Sequence, residues 1–175
     1  MATTKTDTNE YVNNKKFLAA IVEYKKACRK AKREKLPKPK IPDFIGKQLL
    51  LIAENLSHKP NFSQYTFVED MKGDSVENAI LYFDNFDPKR TKYPFTYFTK
   101  IIYYAFIRRI KKEKRALYIK YKATVQQGTL HEGEMGDEDN PGQFDLHSNI
   151  TDFIAKYEDS EEKSKAKKKL PKKKK

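Results

Sequence analysis

Charge in this chain is laid down in blocks of alternating sign. Residues 1–40 carry 12 basic and 4 acidic side chains, and residues 41–85 carry 3 and 7. The next block, 86–122, carries 12 and 2, residues 123–162 carry 1 and 11, and residues 163–175 carry 9 and none. A block of one sign repels itself, so it becomes either a solvated tail or a surface for a partner of opposite sign. Block 86–122 is dense in aromatic and β-branched residues as well. It can therefore fold and present a basic face to a polyanion. The acidic blocks fit a second, basic partner, or screen the basic blocks from within the chain.

Hydrophobic residues make up 38% of the 175 positions, below the roughly 45–50% usual in globular domains. The 11 Phe and 11 Tyr nonetheless allow a compact core over part of the chain, since uniformly disordered chains are poor in aromatics. One domain with charged tails follows from the length. Apolar runs fall far short of the ~20 residues that span a bilayer, and Met1–Glu10 lacks the apolar stretch of a secretory signal. The single cysteine, Cys28, can form neither an intrachain disulfide nor a Cys-rich zinc site. Six glycines leave no Gly-rich phosphate loop. The expectation is a non-enzymatic protein without cofactor or metal.

Periodicity divides the chain into helices. After a disordered arm, 1–10, a helix is expected from Tyr11, with Phe17, Ile21, Tyr24, Cys28 and Ala31 on one stripe. Leu36-Pro37-Lys38-Pro39 ends it. A second helix starts at Pro42 and Asp43, runs through Leu49, Leu50, Ile52, Ala53 and Leu56, and stops before Pro60. A third is expected from about Gln64 to Phe83, burying Phe67, Met71, Val76, Ile80 and Phe83. Gly73 in its middle costs ~1 kcal/mol relative to Ala, which marks a place of close approach. Asp84 to Pro88 has turn chemistry, and a long fourth helix opens at Pro94, ending near Lys122. The body is thus 11–122, followed by an acidic linker 123–148, a short helix 149–162 and a disordered Lys-rich tail 163–175. No alternation of period two survives, so the fold class is all-α, a small helical bundle with disordered charged tails.

The fourth helix carries one apolar stripe more than a core requires. Phe98, Ile102, Phe106 and Ile110 form the natural core side. Tyr97, Ile101, Tyr104, Arg108 and Lys111/Lys112 form a second stripe, aromatic at one end and cationic at the other. Aromatic faces stack bases for ~1–3 kcal/mol each while Arg and Lys neutralise phosphates. The combination suits a strand whose bases have left the duplex; a broad amphipathic helix with a solvated basic end accounts for it equally. On the third helix, Asp70, Asp74 and Glu77 share one face. Without a His or Lys partner at suitable spacing, they read as a docking face for a basic partner or as solvated charge, rather than as acid/base catalysts. His131-Glu132-Glu134 resembles a metal patch but sits in the acidic linker, and Cys28 reads as a small core residue.

Taken together, LLLIAENL, EDMKGDSVENAILYFDNFDP, the basic connector KRTKYPF and TYFTKIIYYAFIRRIKKEKR resemble the core-binding and promoter-melting region of primary-type bacterial sigma factors. The N-terminal YVNNKKFLAAIVEYK and the brevity of the chain look closer to the late-gene sigma factors of T-even-type bacteriophages. The resemblance covers about residues 11–122, with a weaker match in 149–162. It implies that Asp70–Asn78 is a core-docking helix. Asp70, Met71, Gly73, Asp74 and Glu77 would contact the basic clamp helices of the largest subunit of host core RNA polymerase. It further implies a promoter-melting segment. Tyr97 would stack where the upstream base pair of an A/T-rich −10-type element opens, and Lys89, Arg90 and Lys92 would hold the strand. Lys100 and Ile101 occupy the positions of a Trp pair in primary sigmas. Tyr104 would read the upstream duplex edge, and Arg108 and Arg109, followed by Lys111 and Lys112, the phosphates. A phage coactivator and a replication sliding clamp are implied partners, in the cytoplasm of an infected bacterium. The phage members end in an apolar-acidic motif, whereas this chain ends KKKLPKKKK. A basic helical nucleic-acid-binding protein that acts without polymerase is the competing reading.

Overall fold

The computed structural model describes residues 12–127 and 141–169. The arm 1–10 with Tyr11, half of the acidic linker (128–140, including His131-Glu132-Glu134), and the last six residues of the Lys-rich tail lie outside the described residues. Every regular element is helical, with no strand among the described residues. The chain forms two compact units, one up to Ile110 and one from Lys111 onward.

In the first unit, α1 (Asn14–Arg33) starts where the Asn13 side chain accepts from the Lys16 N–H at 3.1 Å, satisfying one of the open donors of the first turn. Lys30, Lys32 and Arg33 in its last turn complement the negative end of the helix. Lys35, at φ 58°, turns the chain out of the helix while the Leu36 N–H returns to the Ala31 carbonyl at 2.9 Å, a closure usually given to glycine. Next come α2 (Asp43–Ser57), the single turn α3 (Pro60–Ser63), α4 (Val68–Leu81), a 3-10 turn at Phe83–Asn85, and α5 (Pro94–Gln126).

Phenylalanines make the centre of this unit. The Phe98 ring lies 5.6 Å from Phe17, 5.6 Å from Phe83 and 5.7 Å from Phe86, and all four are essentially sealed from solvent. These are favourable ring separations. The first helix is fastened to the turn after α4 by a half-buried lysine: Lys25 Nζ donates to the Asp84 carbonyl at 3.0 Å and also to the Phe86 carbonyl. Burial lowers the Lys25 pKa. Beside it, the buried Tyr24 hydroxyl donates to the Pro39 carbonyl at 3.0 Å, and its burial is the main reason its pKa rises to about 12.

Several expectations need correction. The third helix is shorter than expected, Val68–Leu81 rather than about Gln64 to Phe83: Pro60–Ser63 forms a separate turn ahead of it, and Tyr65 and Phe67, their rings 5.1 Å apart and tilted, lie in the segment between. The buried face of α4 is Met71, Ser75 and Ala79, not the Val76–Ile80 side, and Ile80 is 44% exposed. Small residues sit there because α2 packs against α4, with Ala53 and Ser57 buried on α2. The Ser75 hydroxyl is satisfied by the Lys72 carbonyl at 2.8 Å. Leu50 on α2 is exposed, and Cys28 is only half-buried against the core.

The second unit contains the end of α5 and α6 (Pro141–Lys169). The last helix is twice the expected length and carries the start of the lysine tail in helical form, so the tail is not wholly irregular. Charged i, i+4 pairs within it, Lys156–Asp152 at 3.7 Å and Lys163–Asp159 at 2.6 Å, support such an extension. Tyr118 stacks on Tyr157 at 4.5 Å and 19°, and Tyr121 meets Phe153 edge-on at 5.4 Å.

Candidate nucleic-acid interface

On α5 the core stripe falls where periodicity puts it: Phe98, Ile102, Phe106 and Ile110 are buried. The second stripe then faces outward in the first unit, and Tyr97, Ile101, Tyr104 and Arg108 line one groove of about 190 Å³ together with Tyr82. The two tyrosines of the stripe differ in what they can do. Tyr97 is half-buried, its ring 5.1 Å from both Phe86 and Phe98, and its hydroxyl donates to the Tyr82 carbonyl at 3.3 Å. Burial raises its pKa. Tyr97 therefore forms a fixed wall of the groove. Tyr104, 61% exposed, offers the open ring. Tyr103 touches it edge-on at 5.7 Å and rests against Phe62 at 5.7 Å. A flat π-face in a groove with a guanidinium at its end can accept an unpaired base and its phosphate.

The arginines next to each other on α5 have separate placements. Arg108 is exposed and its guanidinium donates to Asn78 Oδ1 at 2.6 Å, which aims it along the groove. Asn78 is itself held by the Asp74 carbonyl, 2.6 Å away. Arg109 turns instead toward α4, donating to Asp74 at 2.9 Å and Asp70 at 3.0 Å. Only 18% of its side chain is exposed. Arg109 thus joins α4 to α5 and is not placed as a phosphate contact, a correction to what the resemblance implies. The charge-assisted, two-carboxylate geometry explains the preference.

The acidic face of α4 is accordingly part engaged and part open. Asp70 and Asp74 keep 60% and 40% of their side chains exposed while holding Arg109. Gly73 and Glu77 are exposed beside them. A Cβ placed on Gly73 would meet nothing within 4 Å, so the close approach expected there is not made by this chain. Met71 is fully buried and belongs to the core, not to a contact surface. Ile80 and Leu81, 44% and 73% exposed, extend the outward side of α4 with apolar surface.

In the connector, Lys89, Arg90 and Lys92 are exposed. Arg90 stays within 3.8 Å of Asp87 with 90% of its side chain in solvent, a pairing worth little in water. Lys100 is exposed on α5. Lys111 and Lys112, also exposed, belong to the second unit. Among the described residues no group of His, Cys, Asp or Glu is placed to hold a metal ion, and no helix is long and apolar enough to cross a membrane.

Tyr82, Asn78 and Tyr103 escaped the sequence reading. Tyr82 follows the last residue of α4, and only the return of α5 beside α4 makes it a groove wall. Asn78 reads as an ordinary helix-surface residue until Arg108 reaches it. No protein-family model matches the chain, and no curated protein sequence matches it.

Proposed function

We propose that this chain is a phage-type late sigma factor. It would dock on host core RNA polymerase through the outward face of α4 and capture an opened strand of an A/T-rich −10-type element in the groove on α5. The observation that carries the reading is the groove itself. Residues selected from spacing alone, Tyr97, Ile101, Tyr104 and Arg108, line one continuous opening. The function is binding, not catalysis. Extruding a base costs a few kcal/mol, and stacking on Tyr104 against the Tyr97 wall, with Arg108 on phosphate, recovers it. Host cytoplasm is the compartment that this function requires.

A second reading has one specific observation in its favour. Asp70 and Asp74 already satisfy Arg109, which gives part of the acidic block an internal role without polymerase. A basic helical nucleic-acid-binding protein acting alone would fit that.

Transcription separates the two. Purified chain added to bacterial core polymerase on supercoiled phage DNA is expected to produce discrete new transcript starts downstream of A/T-rich elements. Tyr104→Ala should lose permanganate-reactive thymines at those starts while retaining core binding in a pull-down. Absence of new starts, combined with tight sequence-selective DNA binding by the isolated chain, would establish the second reading instead.

A further inference from the structure

Among its described side chains, the second unit buries little. Ile150 is the one buried residue among the side chains described in this unit, 111–127 and 148–166, and Ile119 and Val125 stay 56% and 38% exposed. Beside the Tyr121–Phe153 ring contact, α6 meets the end of α5 through a set of half-buried contacts. Tyr157 stacks on Tyr118 at 4.5 Å. Glu158 accepts from the Tyr118 hydroxyl and from Lys122 Nζ, each at 2.7 Å, and Lys122 also lies 5.2 Å from the centre of the Tyr118 ring. Lys122 and Glu158 remain 44% and 45% exposed, and pairs that wet contribute little to stability.

The charges of the two partners are opposed. Residues 111–127 carry six basic side chains against one acidic, while 148–162 carry five acidic against one basic. On α6 a flat ring and an anionic oxygen come from adjacent residues, Tyr157 and Glu158. One lies on an aromatic face, and the other is bound by an ammonium and a hydroxyl. Those are the two groups that one nucleotide of a single strand offers, a stacking base and an anionic oxygen.

We infer that the Arg115–Tyr118–Lys122 face of α5 is a second binding site for single-stranded nucleic acid, and that α6 covers it as an internal stand-in which the strand displaces. Arg115 lies along the same groove, of about 530 Å³, beside Tyr118, Tyr157 and Glu158. The inference shares with the proposed function only the class of ligand, and its site shares no residue with the first-unit groove.

The test is fluorescence anisotropy of a labelled oligothymidylate with the full chain, across salt. Tyr157→Ala with Glu158→Gln is expected to tighten binding by about fivefold or more. It should also steepen the salt dependence by about 0.7 per cation uncovered. Adding Lys122→Ala and Tyr118→Ala should erase the gain. If the double variant loosens α6 altogether the same gain is expected, since the face is uncovered either way. As an independent readout, saturating wild-type chain with the oligonucleotide should accelerate amide exchange in α6. Unchanged affinity in the double variant, a gain that survives loss of Lys122 and Tyr118, or α6 exchange unaffected by the strand would overturn the inference. New transcript starts with core polymerase, present or absent, report separately on the first-unit reading.

Discussion

Gly73 shows how one residue can be read twice. Glycine inside a helix costs about 1 kcal/mol relative to alanine, and α4 has open space where the missing Cβ would go. Nothing in the fold requires the glycine. Gly73→Ala is therefore expected to raise stability by about 0.5–1 kcal/mol, measured by urea denaturation. If the polymerase approaches the helix closely at this bald spot, the same variant should bind core more weakly in a pull-down. A more stable variant with unchanged core affinity would remove Gly73 from the docking face.

At the level of the elements, the pairing of α6 with α5 carries a pH dependence. Hydrogen bonds from Lys122 and Tyr118 hold the Glu158 carboxyl below its usual range. The paired state thus favours the charged carboxylate. Its contribution is complete above the ordinary glutamate pKa and disappears as pH falls through the depressed value. Acidification below about pH 4 should loosen the Tyr118–Tyr157 contact, followed by tyrosine fluorescence or by amide exchange in α6. Glu158→Gln should flatten that response. The helices themselves differ in how openly the sequence announces them. The inner stripes of α1 and α5 are marked by large residues, Phe17, Ile21, Tyr24 and then Phe98, Ile102, Phe106, all buried, so spacing found them. The inner face of α4 is marked by Ser75 and Ala79, which carry no hydrophobic signal because their task is to let α2 come close. Periodicity followed the larger Val76 and Ile80: Met71 is buried as expected and Val76 is half-buried against the core, but Ile80 faces outward and Ser75 and Ala79 were missed. The α5 groove was legible for the same reason as the α5 core, a second aromatic stripe in excess of need. The Arg109 bridge was not, since neighbouring arginines on a basic helix look alike until a carboxylate on another element chooses between them.

For the molecule as a whole, burial is unequally shared. The continuous core runs from Val12 to Ile110, all within the first unit, whereas the described side chains of the second meet in half-buried ring contacts and ion pairs. Regions with few buried apolar contacts open at lower free energy than the core. Heating should accordingly melt the second unit first, giving a gradual loss of helical circular dichroism ahead of a cooperative step from the first. The phenylalanine cluster sets the later step, and Phe98→Ala should lower it strongly, by about 3–5 kcal/mol. A single sharp transition for the whole chain, observed by calorimetry, would contradict this division.

The same cluster has a consequence for how the protein is made. Phe17 sits near the start of the chain and finds its ring partner only at Phe98. At about 5–20 residues per second on a ribosome, Phe17 waits on the order of several seconds before that ring is synthesised. A nascent chain stalled before Pro94 would carry Phe17 without that ring, a natural substrate for a holding chaperone.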